Sequence, residues 1–200
     1  MKQPRRTQAD RSATTRAALV RAGRKLFAEH GFAGVGTDAI VREADVSRGA
    51  LYHHFDDKTG LFTAVLEELE GEAARQVGDA AATAPDGDFG EMMTRALLAW
   101  LDACEEPELQ RILLVDGPSV LGWVRWREIC QQHILGMVEG VLAQGMAEGT
   151  VRDLPVKALA HALLAVADEA ALLVSAAEDT SAARRDVMAV VGPILEALKA

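Results

Sequence analysis

Aromatic residues make up only 4% of this 200-residue chain, and its β-branched residues do not gather into alternating runs, which argues against a sheet-based fold. Cysteine is nearly absent. Cys104 and Cys130 lie far apart in helical-looking segments with no export signal ahead of them, so they read as free thiols rather than as a disulfide framework. No pair of chemically active residues has H-E-x-x-H or paired C-x-x-C spacing, and there is no glycine-rich phosphate loop, so the sequence implies neither a metal nor a cofactor. An apolar run of membrane-spanning length is also missing, the N-terminus is polar, and the Arg5-Arg6 pair is followed by no apolar segment; the expectation is a cytoplasmic chain without a membrane partner.

What is present is 50% hydrophobic content with 17 Gly and only 6 Pro, enough for a well-buried, helix-rich core. The net charge of −9 is unevenly spread. Residues 1–60 carry 11 Lys/Arg against 7 Asp/Glu, a net of +4, whereas residues 61–200 carry 10 against 23, a net of −13. A basic end on an acidic remainder suits a small nucleic-acid-binding head on a body that shuns the duplex.

The stretch from Thr37 to Lys58 reads as two short helices around a tight turn at Asp45-Val46-Ser47. Ile40, Val41 and Ala44 mark the inward face of the first helix. Ser47 stands at the N-cap of the second, whose Leu51 and Phe55 point inward at i, i+4 and leave Arg48, Gly49, Tyr52 and His53 facing out. An exposed short helix that opens on arginine and glycine is suited to a DNA groove.

The segment from about Thr14 to Leu69 closely resembles the DNA-binding domain of the TetR (tetracycline repressor) family. The resemblance is carried by Phe27, Gly31-Phe32, Ser47-Arg48-Gly49-Ala50-Leu51-Tyr52-His53-His54-Phe55 and Asp57-Lys58. Two positions depart from the pattern. Asp45 stands where that family usually has Gly, though Asp tolerates the left-handed conformation, and Gly60 stands where an acidic residue is frequent. The resemblance implies an all-α chain: a basic arm over residues 1–11, a three-helix helix-turn-helix domain over 12–60, and a helical effector-binding and dimerisation domain over 61–200.

On the DNA side, Arg48 is the residue at the opening of the reading helix able to make a paired contact with guanine O6 and N7. Gly49 and Ala50 add close or apolar contacts. Thr37, Tyr52, His53 and His54 resemble phosphate-touching positions, with capping alone as the other reading of Thr37 and a surface aromatic as the other reading of Tyr52. Lys58, behind the cap Asp57, is placed to share one phosphate with a helix N-terminus. The arm is either a floppy terminus or a segment reaching a minor groove. The first helix is expected over residues 12–30, and its arginines are mainly solvated, with one or two near its start within reach of phosphate.

The fourth helix runs from the head into the body through Leu61, Phe62, Val65, Leu66, Leu69 and Ala73. After a loop at 80–88 come helices over 89–104, from Pro107 to an interruption at Asp116-Gly117-Pro118, and over 123–148. Met93, Trp100, Cys104, Asp116, Trp123, Trp126, His133 and Met137 are the candidates for an effector pocket; large residues and Met simply filling a core is the competing reading. Asp116 either supplies a polar contact there or caps the next helix. Two final helices, 155–177 and 181–199, carry wide apolar faces. Leu159, Ala162, Val166, Leu173, Val187, Val191, Ile194 and Leu198 are expected at a homodimer seam, with His161 and Asp168 forming a charge pair there, a polar corner of the pocket, or ordinary surface.

The function expected from all this is a DNA-binding transcriptional regulator, most often a repressor, that is not an enzyme. It would bind double-stranded operator DNA as a homodimer and be released by a small-molecule effector. An enzyme assembled from His133, Asp116, His161, Asp168 and Cys104, and a helical adaptor that binds only protein, are the competing classes.

Overall fold

The computed structural model describes residues 8–85 and 87–200. Among the described residues ten α-helices succeed one another: α1 (Gln8–Gly34), α2 (Thr37–Glu43), α3 (Arg48–His54), α4 (Lys58–Ala81), α5 (Phe89–Glu105), α6 (Pro107–Leu109), α7 (Gly117–Leu121), α8 (Trp123–Ala147), α9 (Val156–Ser175) and α10 (Thr180–Glu196). A π-helical segment, Gln110–Asp116, joins α6 to α7. Among the described residues the only β pairing is an isolated bridge between Val151 and Lys199. The all-α expectation therefore holds.

α1 starts earlier than the sequence suggested, so Gln8 to Arg11 are helical; residues 1–7 of the expected arm lie outside the described residues. Gly31 breaks the helix with φ 69° and ψ 164°. A Cβ on this glycine would meet the Arg111 guanidinium, the movable end of a half-exposed side chain, so it is the backbone conformation that requires glycine there. Leu19, Phe27, Leu61, Phe62 and Leu66 form the core between α1 and α4. The Phe27 and Phe62 rings meet edge to face at 5.3 Å, and Phe32 closes the cluster at 5.2 Å from Phe62. Full burial of each such ring contributes about 1.5–3 kcal/mol.

α4 continues to Ala81, beyond the expected end, and packs along α1 at its start and along α5 and α8 further on. Two polar clamps tie the N-terminal helices to the rest. Arg24 on α1 holds Glu108 through two parallel bonds of 2.8 Å and Glu72 through a third of 2.9 Å. Asp116 accepts a 2.7 Å hydrogen bond from the backbone N–H of Phe32, with the Arg111 guanidinium 3.6 Å from the same carboxylate. The chain is thus not interrupted at Asp116-Gly117-Pro118. It passes from a π turn straight into α7, and the break falls at Gly122, φ 74°. Asp116 makes no side-chain cap on α7 because its carboxylate is committed to Phe32.

The C-terminal pair presents two kinds of face. α9 buries Ala160, Leu163, Ala170, Ala171 and Val174, and α10 buries Val187, Val191 and Leu195 at i, i+4, i+8. Val187 and Val191, expected at a seam between protomers, therefore belong to this chain's own core. By length and composition α9 is apolar enough to cross a membrane, contrary to the expectation of no such run, and only 28% of its most apolar window is buried. Leu173, Val190 and Ile194 are exposed on the outer faces, while Leu159 and Leu198 are half-buried.

Candidate DNA-reading surface and interior cavity

α3 is built from its turn outward. Asp45 takes the left-handed conformation, φ 53°, where the resembling pattern has glycine. Ser47 adopts an extended backbone and its Oγ accepts from the Ala50 N–H at 3.2 Å. Leu51 is fully buried and Phe55 nearly so, which turns Arg48, Gly49, Tyr52 and His53 to solvent. Arg48 is 60% exposed, pairs with Asp38 on α2 at 3.3 Å, and lies 6.0 Å from the Tyr52 ring centroid. A Cβ added to Gly49 would meet only the Ser47 hydroxyl, at 3.9 Å. Nothing inside the chain demands glycine at this position.

Around this strip, Thr37 opens α2 while Gly36, not Thr37, is the N-cap, so the threonine hydroxyl is not used for capping. Ala50 and His54 are half-buried. Burial, then the nearby His53 and Arg16, hold the His54 imidazole below its ordinary pKa, which keeps it neutral near pH 7. The Arg16 guanidinium stands 5.3 Å from the Phe55 ring centroid, so one arginine from the start of α1 does reach this region.

Lys58 departs from expectation. Its ammonium donates to the carbonyls of Phe32 at 2.8 Å and Val35 at 2.9 Å and sits 3.9 Å from the Phe32 ring centroid. Two of its three donors brace the α1–α2 connection, and the α4 N-terminus is capped by Asp57 accepting from Gly60 at 2.7 Å.

The body encloses a cavity of about 70 Å³ between α4, α5, α8, α9 and α10. Met93 and Trp100 line it as expected. Val166 and Val191, expected at the dimer seam, line it too, and so does Asp168, for which a polar corner of the pocket is one of the expected readings. The remaining pocket candidates lie elsewhere. Trp123 is 58% exposed on the surface. Trp126 is buried and donates from Nε1 to the Leu113 carbonyl at 2.9 Å, wedged against Gly117, where a Cβ would approach its ring to 2.7 Å. Asp116 serves the Phe32 clamp, and Met137 packs by Gly78. His133 is exposed; Cys104 is buried and does not line the cavity. His161 is exposed, its Nδ1 3.2 Å from the Gln131 amide, and Ala162 is exposed beside it.

Sequence reasoning missed Glu70. It is fully buried on α4, lines the cavity, and both carboxylate oxygens lack a hydrogen-bond partner. Burial, reinforced by Asp168, pushes its pKa up to about 8. The Trp100 indole N–H is buried and unpartnered as well. Asp168 is raised to about 6 by burial, opposed by Arg127, whose Nη1 stands 3.8 Å away. A signal for Glu70 was available: it falls at i+4 from Leu66 and i−7 from Val77, on the apolar stripe of α4.

Comparison with known proteins bears on both halves. Residues 19–65 match the family of bacterial regulatory proteins, tetR family, and residues 91–198 match the tetracyclin repressor-like C-terminal domain. The chain belongs to the TetR family. Among TetR-family relatives, the transcriptional repressor AcnR of Corynebacterium efficiens is 29% identical over 157 residues, covering 75% of this chain and 76% of AcnR. A TetR-family regulator from Pectobacterium atrosepticum superposes with a TM-score of 0.81 at 33% identity over 97% of this chain and 98% of its own. RolR, solved with resorcinol, shares the fold at a TM-score of 0.72 and 18% identity, covering 96% of this chain and 90% of RolR. The TetR membership makes this protein a DNA-binding transcriptional regulator and not an enzyme.

Proposed function

We propose that this regulator binds a near-palindromic operator as a homodimer and represses transcription until a small effector enters the body. On this reading residues 12–60 are the DNA-binding head and residues 61–200 the effector-binding and dimerisation body. The observation that carries it is the solvent-facing strip of α3, where Arg48 stands at the tip and Gly49 is a glycine the fold does not need. Such a position lets backbone approach a base pair, and Arg48 supplies the paired donors that read guanine. Thr37, Tyr52, His53 and His54 surround it as phosphate partners, with Ala50 available to a thymine methyl. Lys58 acts by holding the α1–α2 connection, with one donor left for phosphate.

The outer faces of α9 and α10 support the dimer. Leu173, Val190 and Ile194 are large apolar residues left uncovered on adjacent helices, and two such hairpins bury them as a four-helix bundle about a twofold axis. Two heads then meet successive major grooves with half-site centres roughly 34–36 Å apart or a multiple of that.

The cavity is the effector site. At about 70 Å³ it is smaller than the roughly 300–1,000 Å³ that ligand pockets occupy, so an occupant must spread its walls. One wall is α4, which carries Lys58 at its other end. Spreading the walls therefore favours a different placement of the heads, and the effector shifts the population by its preference for that state. RolR, a fold relative solved in complex with the ligand resorcinol, supports a small-molecule effector.

A gel-shift titration on the DNA flanking the protein's own gene, at two salt concentrations, tests the proposal. Specific retardation that outlasts random competitor and weakens with salt supports it; equal binding to any duplex, or none, overturns it.

A further inference from the structure

The cavity's polar groups are lopsided. Its walls are largely apolar, Leu97, Ile134 and Leu163 among them, yet two carboxyl groups face into it, Glu70 from α4 and Asp168 from α9. Among the described residues the cation paired with either acid is Arg127, which stands 3.8 Å from Asp168 with a quarter of its side chain exposed and does not line the cavity. Glu70 has no partner for either oxygen, and the Trp100 N–H has no acceptor. An unpaired buried carboxyl costs free energy and is rare in a native core unless something completes it.

We propose, building on the reading of this cavity as the effector site, that the effector is an organic cation: a compact apolar amine whose ammonium seats between Glu70 and Asp168. Arg127 pairs with Asp168 alone, so Glu70 is the acid without a cation, and an ammonium is the partner that fills its two open oxygens and lets it ionise. A carboxylate ligand would place a negative charge beside Asp168 and hold Glu70 protonated, with no cation of its own in the same low-dielectric space. A neutral alcohol would satisfy one oxygen of Glu70 and leave the other open. The Trp100 N–H adds a second anchor for any amine that also carries an acceptor oxygen.

Proton linkage follows. The groups facing Glu70 are Asp168 on α9, Cys130 on α8 and Cys104 on α5, while Arg127 on α8 pairs with Asp168. Burial raises both thiols, so they stay protonated and neutral, and the carboxyls are the groups that respond. Glu70, protonated at neutral pH in the empty cavity, gives up its proton as the ammonium arrives. Amine binding therefore tightens as pH rises through neutrality.

The experiment compares isosteric probes on the full-length protein, read by Trp fluorescence and by thermal shift: benzylamine and longer arylalkylamines, benzyl alcohol and benzoate. The amine series is expected to bind at least ~10-fold more tightly than the alcohol or carboxylate of matching shape. Glu70→Gln, which keeps the volume and removes the charge, is expected to weaken the amine by ~10-fold or more and leave the alcohol unchanged, and Asp168→Asn is expected to act in the same direction. Circular dichroism confirms that each variant is folded. Equal binding of benzoate or benzyl alcohol, an amine affinity unchanged in a folded Glu70→Gln protein, or no binding by any amine of the series overturns the assignment. Amines that bind but never release operator DNA would instead overturn the cavity's role in repression, and a neutral or anionic compound that releases DNA would overturn the cation alone.

Discussion

The carboxylate of Asp116 accepts a 2.7 Å hydrogen bond from the backbone N–H of Phe32, joining the end of the π-helical segment to the break between α1 and α2. The same break receives Lys58 from α4, whose ammonium binds the Phe32 and Val35 carbonyls. Phe32 is therefore held at its N–H by one element and at its C=O by another. The π turn is continuous with α6, whose Glu108 is clamped by Arg24 of α1, so body and head share two fixed points.

Removing one of those points should uncouple more than it unfolds. Asp116→Ala leaves the Phe32 N–H without its partner and should cost about 1–3 kcal/mol of stability, measured by urea unfolding. Operator affinity should stay near that of the parent while the effector concentration needed for release changes. Unaltered release with unaltered stability would remove this contact from the coupling route.

Arg48→Ala and Lys58→Ala should separate base reading from bracing. The first should lose about 1–3 kcal/mol of operator affinity and relax preference at one base pair, read by competition against single-base operator variants. The second removes two internal hydrogen bonds and should lower thermal stability together with affinity on every duplex. A uniform loss across all sequences for Arg48→Ala would exclude it as the base reader.

Glu70 makes stability depend on pH in a definite direction. Its carboxyl titrates at about 8 when folded and near the ordinary 4.5 when unfolded. Below the lower value both states are protonated and Glu70 costs nothing through ionisation. As pH climbs from there toward 8, the unfolded state gives up its proton first, so stability declines over that window. Glu70→Gln should therefore stabilise the ligand-free protein by an amount that grows between pH 5 and pH 8, on the order of a few kcal/mol at the upper end. A variant-minus-parent difference that is flat with pH would show that the carboxyl does not stay protonated in the fold.

The uncovered faces of α9 and α10 should be separable from the core beneath them. Leu173→Glu or Ile194→Glu lies on exposed surface within one chain and should leave the helical content intact, while shifting sedimentation from dimer to monomer and weakening operator binding. Val187→Glu, aimed at the buried stripe, should unfold the body instead. Retention of a full-strength dimer by both exposed variants would place the seam elsewhere.

How much of this was legible in the sequence follows from how local each feature is. The Ser47 cap, the left-handed Asp45 and the Leu51 and Phe55 contacts depend on neighbours within a turn or two, and α3 could be drawn from residue order. Trp123 and Trp126 could not be told apart in that way. Their rings are 4.9 Å apart on one side of α8, yet Trp123 lies on the surface because it opens the helix directly after the Gly122 break, while Trp126, one turn further in, packs on Gly117 and donates to Leu113 from the core. From residue order Asp116 reads either as a polar pocket contact or as a cap before Gly-Pro; the π turn that directs its carboxylate to Phe32 leaves no periodic trace in seven residues. Val187 and Val191 read as seam residues from the sequence because an apolar face looks alike whether its cover is the same chain or a second copy. Glu70 was passed over because charge outweighed its place on the stripe.

The most direct test of the whole account is a hydroxyl-radical footprint of the purified protein on the DNA upstream of its own gene. Two protected half-sites should appear, centred roughly 34–36 Å apart or a multiple of that, and should vanish together with Arg48→Ala. Protection spread evenly along the duplex, or a footprint indifferent to Arg48, would contradict it.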